Sequence, residues 1–169
     1  MDTMEALKQV VIFKDVPDAV LRIVAEAAEE VRIAAGESIV SASELPKALY
    51  VIRHGTVRLV VEDEGAPAVL FGPGETIGEV DFIDGGPGPA AVTTLEPVHL
   101  LVLRSDSLTR VLAGHPEAAY ELYRAIARSL AGRLRRAVTM VALARRASDR
   151  FTSASAAVSP GTIDHPQTR

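Results

Sequence analysis

The chain contains no cysteine, which excludes disulfides and thiolate-ligated metals and fits a reducing cytoplasm. No apolar run approaches the roughly 18–20 residues of a membrane span. The opening, MDTMEALKQVVIFKD, has early acids and no small-residue cleavage site, so it does not read as a secretory signal. The most telling absence concerns charge of one sign. Between Arg58 and Arg104 there is no lysine or arginine, while Glu62, Asp63, Glu64, Glu75, Glu79, Asp81, Asp84 and Glu96 all lie there. A net charge of −4 gives no general reason to expect a nucleic-acid partner.

What is present suits one globular domain. The chain has 169 residues, 48% hydrophobic and 24% charged, enough to bury a sizeable core. The C-terminal third reverses the charge of the middle: Arg124, Arg128, Arg133, Arg135, Arg136, Arg145, Arg146 and Arg150 stand against Glu117, Glu121 and Asp149. An acidic β region precedes a basic helix.

Taken in order, residues 4–13 read as a first short helix. Pro17 suits the first position of a second, with Asp18 at its positive dipole end and Val20, Leu21, Val24 and Ala27/Ala28 at helical spacing. Gly36 marks a turn between short strands near 30–34 and 37–41. Ala48–Arg53 and Thr56–Glu62 alternate and are joined at His54-Gly55, a tight hairpin connection. Ala66–Phe71, Ala90–Leu95 and Val98–Leu103 follow as further strands. Many short strands between turns predict a sandwich or jelly roll. Ser105 is the expected N-cap of a short helix over 106–113, closed by Gly114.

From Pro116 to about 148 the pattern is helical and free of proline. Ala119, Tyr123, Ile126, Leu130, Leu134, Ala137, Val141 and Ala144 form an apolar stripe. A helix this long outruns a small β domain, and a second copy is the simplest cover for the rest of the stripe. The chain is therefore expected to form a homodimer through Tyr123, Ile126, Leu130, Leu134, Ala137 and Val141. The alternative is that the stripe packs only on its own domain. The expected bounds are a domain over 1–148, with its last helix at about 116–148, and a disordered tail over 149–169 rich in Ser, Thr, Ala and Pro.

Residues 74–94, GETIGEVDFIDGGPGPAAVTT, are punctuated by glycine and proline and read as a shaped loop on a β scaffold. Here the chain resembles the cyclic-nucleotide-binding domains. Gly78-Glu79-Val80-Asp81 matches the Gly-Glu-Leu-Ala turn of that family's phosphate-binding cassette, and Pro87-Gly88-Pro89-Ala90-Ala91-Val92 stands at its Pro-Arg-(Ala/Ser)-Ala half. The likeness runs over roughly 10–145. It takes in Phe13, Gly36-Glu37-Ser38-Ile39, Leu49-Tyr50-Val51-Ile52 with Gly55, Gly72-Pro73-Gly74-Glu75, Leu100-Leu101-Val102-Leu103 and the helix around Ala127–Leu134. The resemblance implies a mainly β fold: an eight-stranded antiparallel β roll, a double-stranded β-helix or jelly roll of the catabolite-activator type. N-terminal helices and a mobile C-terminal lid and dimer helix would flank it.

The resemblance assigns Glu79 to a ribose 2′-hydroxyl, and backbone amides around Gly78, Val80, Ala90 and Ala91 to a phosphate. The family's phosphate-gripping arginine falls on Gly88. Losing one charged hydrogen bond costs on the order of 1.5–3 kcal/mol, roughly ten- to a hundredfold in affinity. Tight cyclic AMP or cyclic GMP binding is not expected, and no cofactor is. Two compensations are open. Arg53, Arg58, Arg128 or Arg133 could reach the phosphate from elsewhere, or Asp81 or Asp84 could occupy the amide nest as an internal phosphate mimic. Glu79 could equally serve the loop's structure with no ligand.

His54, His99, His115 and His165 show no metal-ligand spacing, and no serine sits on a nucleophile elbow. No catalytic or metal residues are expected. The arginine helix is followed here by a short polar tail and not by groove-reading helices, which argues against DNA. The expectation is a stand-alone, regulatory, cyclic-nucleotide-binding-like domain: a dimeric adaptor or scaffold acting by protein contact, with a vestigial pocket at Gly78, Glu79, Val80, Asp81, Gly88, Pro89, Ala90, Ala91 and Val92. One alternative is a true cyclic-nucleotide receptor that moves its C-terminal helix; another is a self-assembling structural protein.

Overall fold

A computed structural model describes residues 2–40, 48–61, 67–86 and 90–156, with side chains as far as Arg146. In order come α1 (Thr3–Lys8), a 3-10 turn (Val11–Phe13), α2 (Asp18–Ala25), β1 (Ala28–Ile33), β2 (Ser38–Val40), β3 (Ala48–His54), β4 (Val57–Val61), β5 (Val69–Phe71), β6 (Thr76–Ile77), α3 (Glu79–Asp84), β7 (Ala90–Thr94), β8 (Val98–Arg104), α4 (Ser105–Leu112) and α5 (Pro116–Ala156). The strands form two four-stranded sheets, β1-β8-β3-β6 and β2-β7-β4-β5, with antiparallel pairing throughout. This is the expected eight-stranded roll with flanking helices. The chain divides into two compact units, Met1–Leu130 and Ala131–Arg169; the roll and the shorter helices lie in the first.

The first sheet is covered on both faces, and strand alternation shows how. Ala48, Tyr50 and Ile52 on β3, with Val98, Leu100 and Val102 on β8, join the roll interior. Their neighbours Leu49 and Val51, with Leu101 and Leu103, point the other way into a second core with Leu7, Phe13, Leu21, Val24, Leu108, Leu122 and Ile126 from the helices. A strand buried on both faces reads as a continuous apolar run, which explains Ala-Leu-Tyr-Val-Ile on β3. The β3–β4 hairpin is pinned by Gly55, whose φ is +87°. A Cβ there would stand 2.6 Å from the Pro97 carbonyl oxygen, so only glycine fits. Buried Thr94 ties the β1–β2 turn to β7: its hydroxyl donates to the Ala34 carbonyl at 2.6 Å and accepts from the Glu37 amide at 2.9 Å.

Several boundaries differ from those read in the sequence. The first helix stops at Lys8, and after Val10, which is extended, the chain tightens into the 3-10 turn while the Val11 amide donates to the Gly74 carbonyl at 3.1 Å. Pro17 is the extended N-cap of α2 and not its first helical residue. Ser105 does not cap α4: β8 runs straight into the helix, leaving Arg104 extended at the cap with no side-chain capping bond. Helix α5 continues to Ala156, beyond 148, in keeping with a sequence that has no Gly or Pro between Gly132 and Pro160. The remainder of the expected tail lies outside the described residues.

Candidate functional site

Strand β6 hydrogen-bonds to β3 through the pairs Tyr50↔Ile77 and Val51↔Thr76, and it delivers the chain to Gly78. Gly78 adopts φ +85° as the N-cap of α3. A Cβ there would lie 2.6 Å from the Ala48 carbonyl oxygen and 3.3 Å from the Tyr50 ring. The glycine lets the loop press against β3, and α3 then turns Glu79 inward. Glu79 is buried, and its carboxylate accepts a hydrogen bond from the buried Thr76 hydroxyl. Sequence reasoning placed Glu79 in the site but did not identify Thr76 as its partner.

The rest of α3 faces outward or into the helices. Val80 and Ile83 are exposed, while Phe82 is buried and stacks on Tyr123 of α5. Asp81 is half-exposed. Burial pushes its carboxyl pKa up, and the nearby Asp84 carboxylate adds to the rise. Buried Tyr50 is also raised, chiefly by desolvation; Arg104 opposes that shift and Asp81 reinforces it. Among the described residues neither Asp81 nor Asp84 accepts a hydrogen bond from a loop amide, so the internal phosphate mimic finds no support there. Gly88 and Pro89 lie outside the described residues.

Beyond them, Ala90, Ala91 and Val92 open β7, paired with Val61, Val60 and Leu59 of β4. The inward-facing positions change steadily along these strands. On β4, Val57 is 0% exposed, Leu59 is half-buried and Val61 is 36% exposed. On β5, Phe71 pairs with Val57 and is half-buried, while Val69 pairs with Leu59 and is 47% exposed. On β7, Val92 is buried and Ala90 only half-buried. Among the described residues the roll is filled at the Val57 end and loosens toward Val61, Val69 and Ala90, an apolar mouth.

Of the cations expected to compensate, neither hairpin arginine faces this mouth. Arg58 is exposed and alternates with inward-facing Val57 and Leu59, which places it on the outer face. Arg53 is paired with Glu30 at 2.5 Å. Arg128 is exposed on α5, and Arg133 belongs to the second unit. The histidines hold one surprise. His54 and His99, remote in sequence, pair across β3 and β8 with ring centroids 6.0 Å apart.

The helix stripe divides. Leu122 and Ile126 are fully buried in the core of their own domain, and Leu130 packs partly against it. Ile126, expected on the dimer seam, thus serves the domain core, and Leu122 was missed. Tyr123 is exposed. In the second unit Leu134, Ala137, Val138 and Val141 are exposed.

Comparison with known proteins agrees with this geometry. The "CRP-like cAMP-activated global transcriptional regulator" of Mycobacterium tuberculosis (strain CDC 1551 / Oshkosh) is 27% identical over 75% of this chain and 58% of its own length. The "Cyclic AMP receptor protein" of Thermus thermophilus is 32% identical over 56% of this chain and 45% of its own length. The chain thus spans about half the length of these relatives. Among solved structures, the N-terminal domain of a transcriptional regulator from Streptomyces coelicolor A3(2) superposes with a TM-score of 0.65 at 31% identity, covering 75% of this chain and 93% of that one. The described helices contain no segment long and apolar enough to cross a membrane. The sequence pattern of the cyclic nucleotide-binding domain matches residues 30–115, and the chain belongs to that family.

Proposed function

We propose that this chain is a non-catalytic regulatory domain of the cytoplasm that works by contact with another protein, as a homodimer built on α5, and that it binds cyclic AMP and cyclic GMP weakly or not at all. The observation that carries this reading is electrostatic. The cassette brings a phosphate toward Glu79, Asp81 and Asp84 with no lysine or arginine anywhere between Arg58 and Arg104. An anion placed at about 4 Å from a carboxylate meets repulsion of several kcal/mol at most at an effective dielectric near 20, and backbone amides alone must offset it. Arginine is the residue suited to that task, and Arg53 and Arg58 are directed elsewhere.

A second reading is favoured by the buried Glu79, the open apolar mouth and the names of the relatives, which include a cAMP-activated regulator and a cyclic AMP receptor. In that reading the domain is a nucleotide receptor. Transcriptional control, named for two of the relatives, is then a role open to a protein carrying it, and steeply salt-dependent DNA binding would reveal it. The expectation against a nucleic-acid partner gains no support from these relatives.

Calorimetry with cyclic AMP and cyclic GMP separates the two readings. The adaptor reading expects no micromolar binding by the natural chain and a gain of roughly ten- to a hundredfold in Gly88→Arg. Micromolar binding by the natural chain would overturn it.

A further inference from the structure

A cavity of about 220 Å³ lies away from the cassette, between the N-terminal helices and β3. Ala6, Val10 and Val51 give it apolar walls, Gln9 and Arg53 give it polar ones, and Gly74 closes one side. The volume falls below the roughly 300 Å³ of sites that take drug-sized ligands, so it suits a compact molecule. Arg53 sets the charge. Its side chain is only 21% exposed, and its partner Glu30 is 56% exposed and, among the described residues, bound through Nη1 alone. A guanidinium offers five donors in a planar fork matched to a carboxylate, so Nε and Nη2 remain for a second acceptor.

We propose that this cavity binds a small monocarboxylate with an apolar body, its carboxylate on Arg53 and its body against Ala6, Val10 and Val51. The ligand would share Arg53 with Glu30 or displace it, an exchange made easy by Glu30's exposure. The site is joined to the cassette by backbone. The Val11 amide donates to the Gly74 carbonyl at 3.1 Å and the Gly74 amide to the Ile52 carbonyl at 2.8 Å, and the chain runs from Gly74 through β6 to Gly78 four residues later. Occupancy therefore bears on the segment that positions Glu79. The inference does not depend on whether the cassette binds a nucleotide.

Titration of the full chain with sodium benzoate, followed by amide NMR, tests it, with benzamide as the uncharged comparison. Benzoate should shift the resonances of Ala6, Val10 and Gly74, and benzamide should bind at least about tenfold more weakly. Arg53→Gln should weaken benzoate by a similar factor. Glu30→Gln, which only removes an exposed competitor, should tighten it severalfold. Shifts confined to other regions, equal binding of benzamide, or no loss in Arg53→Gln would overturn the proposal. So would unchanged affinity in Glu30→Gln.

Discussion

The ring of Phe82 stacks on that of Tyr123, with centroids 6.0 Å apart and planes inclined by 27°. Phe82 belongs to α3 of the cassette and Tyr123 to α5, so this contact joins the candidate site to the helix expected to report on it. Stacked aromatic pairs contribute about 0.5–1.5 kcal/mol beyond the area they bury. A double-mutant cycle on Phe82→Leu and Tyr123→Leu should return a coupling energy in that range from urea unfolding. Additive losses would mean that α3 and α5 are energetically independent.

Two glycines of the same loop should respond very differently to a methyl group. Both Gly78 and Gly85 have positive φ, so Ala costs about 1–2 kcal/mol at each from backbone strain alone. At Gly85 nothing lies within 4 Å of the added Cβ, whereas at Gly78 the Ala48 carbonyl oxygen is 2.6 Å away. Gly78→Ala should therefore exceed Gly85→Ala by at least about 1 kcal/mol in thermal or urea unfolding. Equal losses would mean that the loop does not press on β3.

Much of the fold was legible because its signals are local. Gly55 and Gly36 announce turns, and the runs on either side of Gly55 announce strands, although β3 is a continuous buried run and not the alternation expected. The misses are long-range. Strand β6 has two residues, and only its pairing with Tyr50 and Val51 makes it a strand. Leu122 and Tyr123 are both apolar and lie about 100° apart on the helix; packing alone decides that Leu122 is enclosed and Tyr123 exposed. The loop and its glutamate were visible by resemblance. The burial of Glu79 comes from packing of the loop on β3, although its partner Thr76 lies only three residues away. The meeting of His54 with His99 comes from strand register that no local pattern encodes.

Thr76→Val removes the hydroxyl that faces a buried carboxylate while keeping the side-chain shape. A hydrogen bond to a charged group is worth about 1.5–3 kcal/mol, and the variant should lose that much in urea unfolding at neutral pH. Thr76→Ser, which keeps the donor, should retain most of the stability. A neutral Thr76→Val would mean that Glu79 is held by its other contacts.

The raised pKa of Asp81 makes a prediction with a definite sign. The folded protein holds this proton above the ordinary value of 3.8, so the unfolded chain releases it first as pH rises. The group's stabilising contribution is full below 3.8 and is lost as pH climbs through the raised folded value. Asp81→Asn should thus stabilise the protein at neutral pH, by under about 1 kcal/mol because a half-exposed group is screened by solvent. Thermal melts should show that gain shrinking on acidification. A gain that grew toward acid pH would reverse the assignment.

The division of the α5 stripe separates folding from assembly. Leu122 is fully buried in the domain core, so Leu122→Ala should cost about 2–5 kcal/mol of stability. Leu134 is 66% exposed in the single chain, and Leu134→Ala should leave its stability within about 0.5 kcal/mol. The proposed dimer would cover Leu134 twice, once from each copy, at about 1.5–3 kcal/mol for each buried side chain. Leu134→Asp should then raise the dimer dissociation constant by roughly a hundredfold or more, seen in sedimentation as a shift to monomer. Leu130, half-buried against its own domain, is the poorer probe, because Asp there would disturb the fold as well. A natural chain that sediments as a monomer at high concentration, or a Leu134→Asp variant as dimeric as its parent, would remove α5 from the interface.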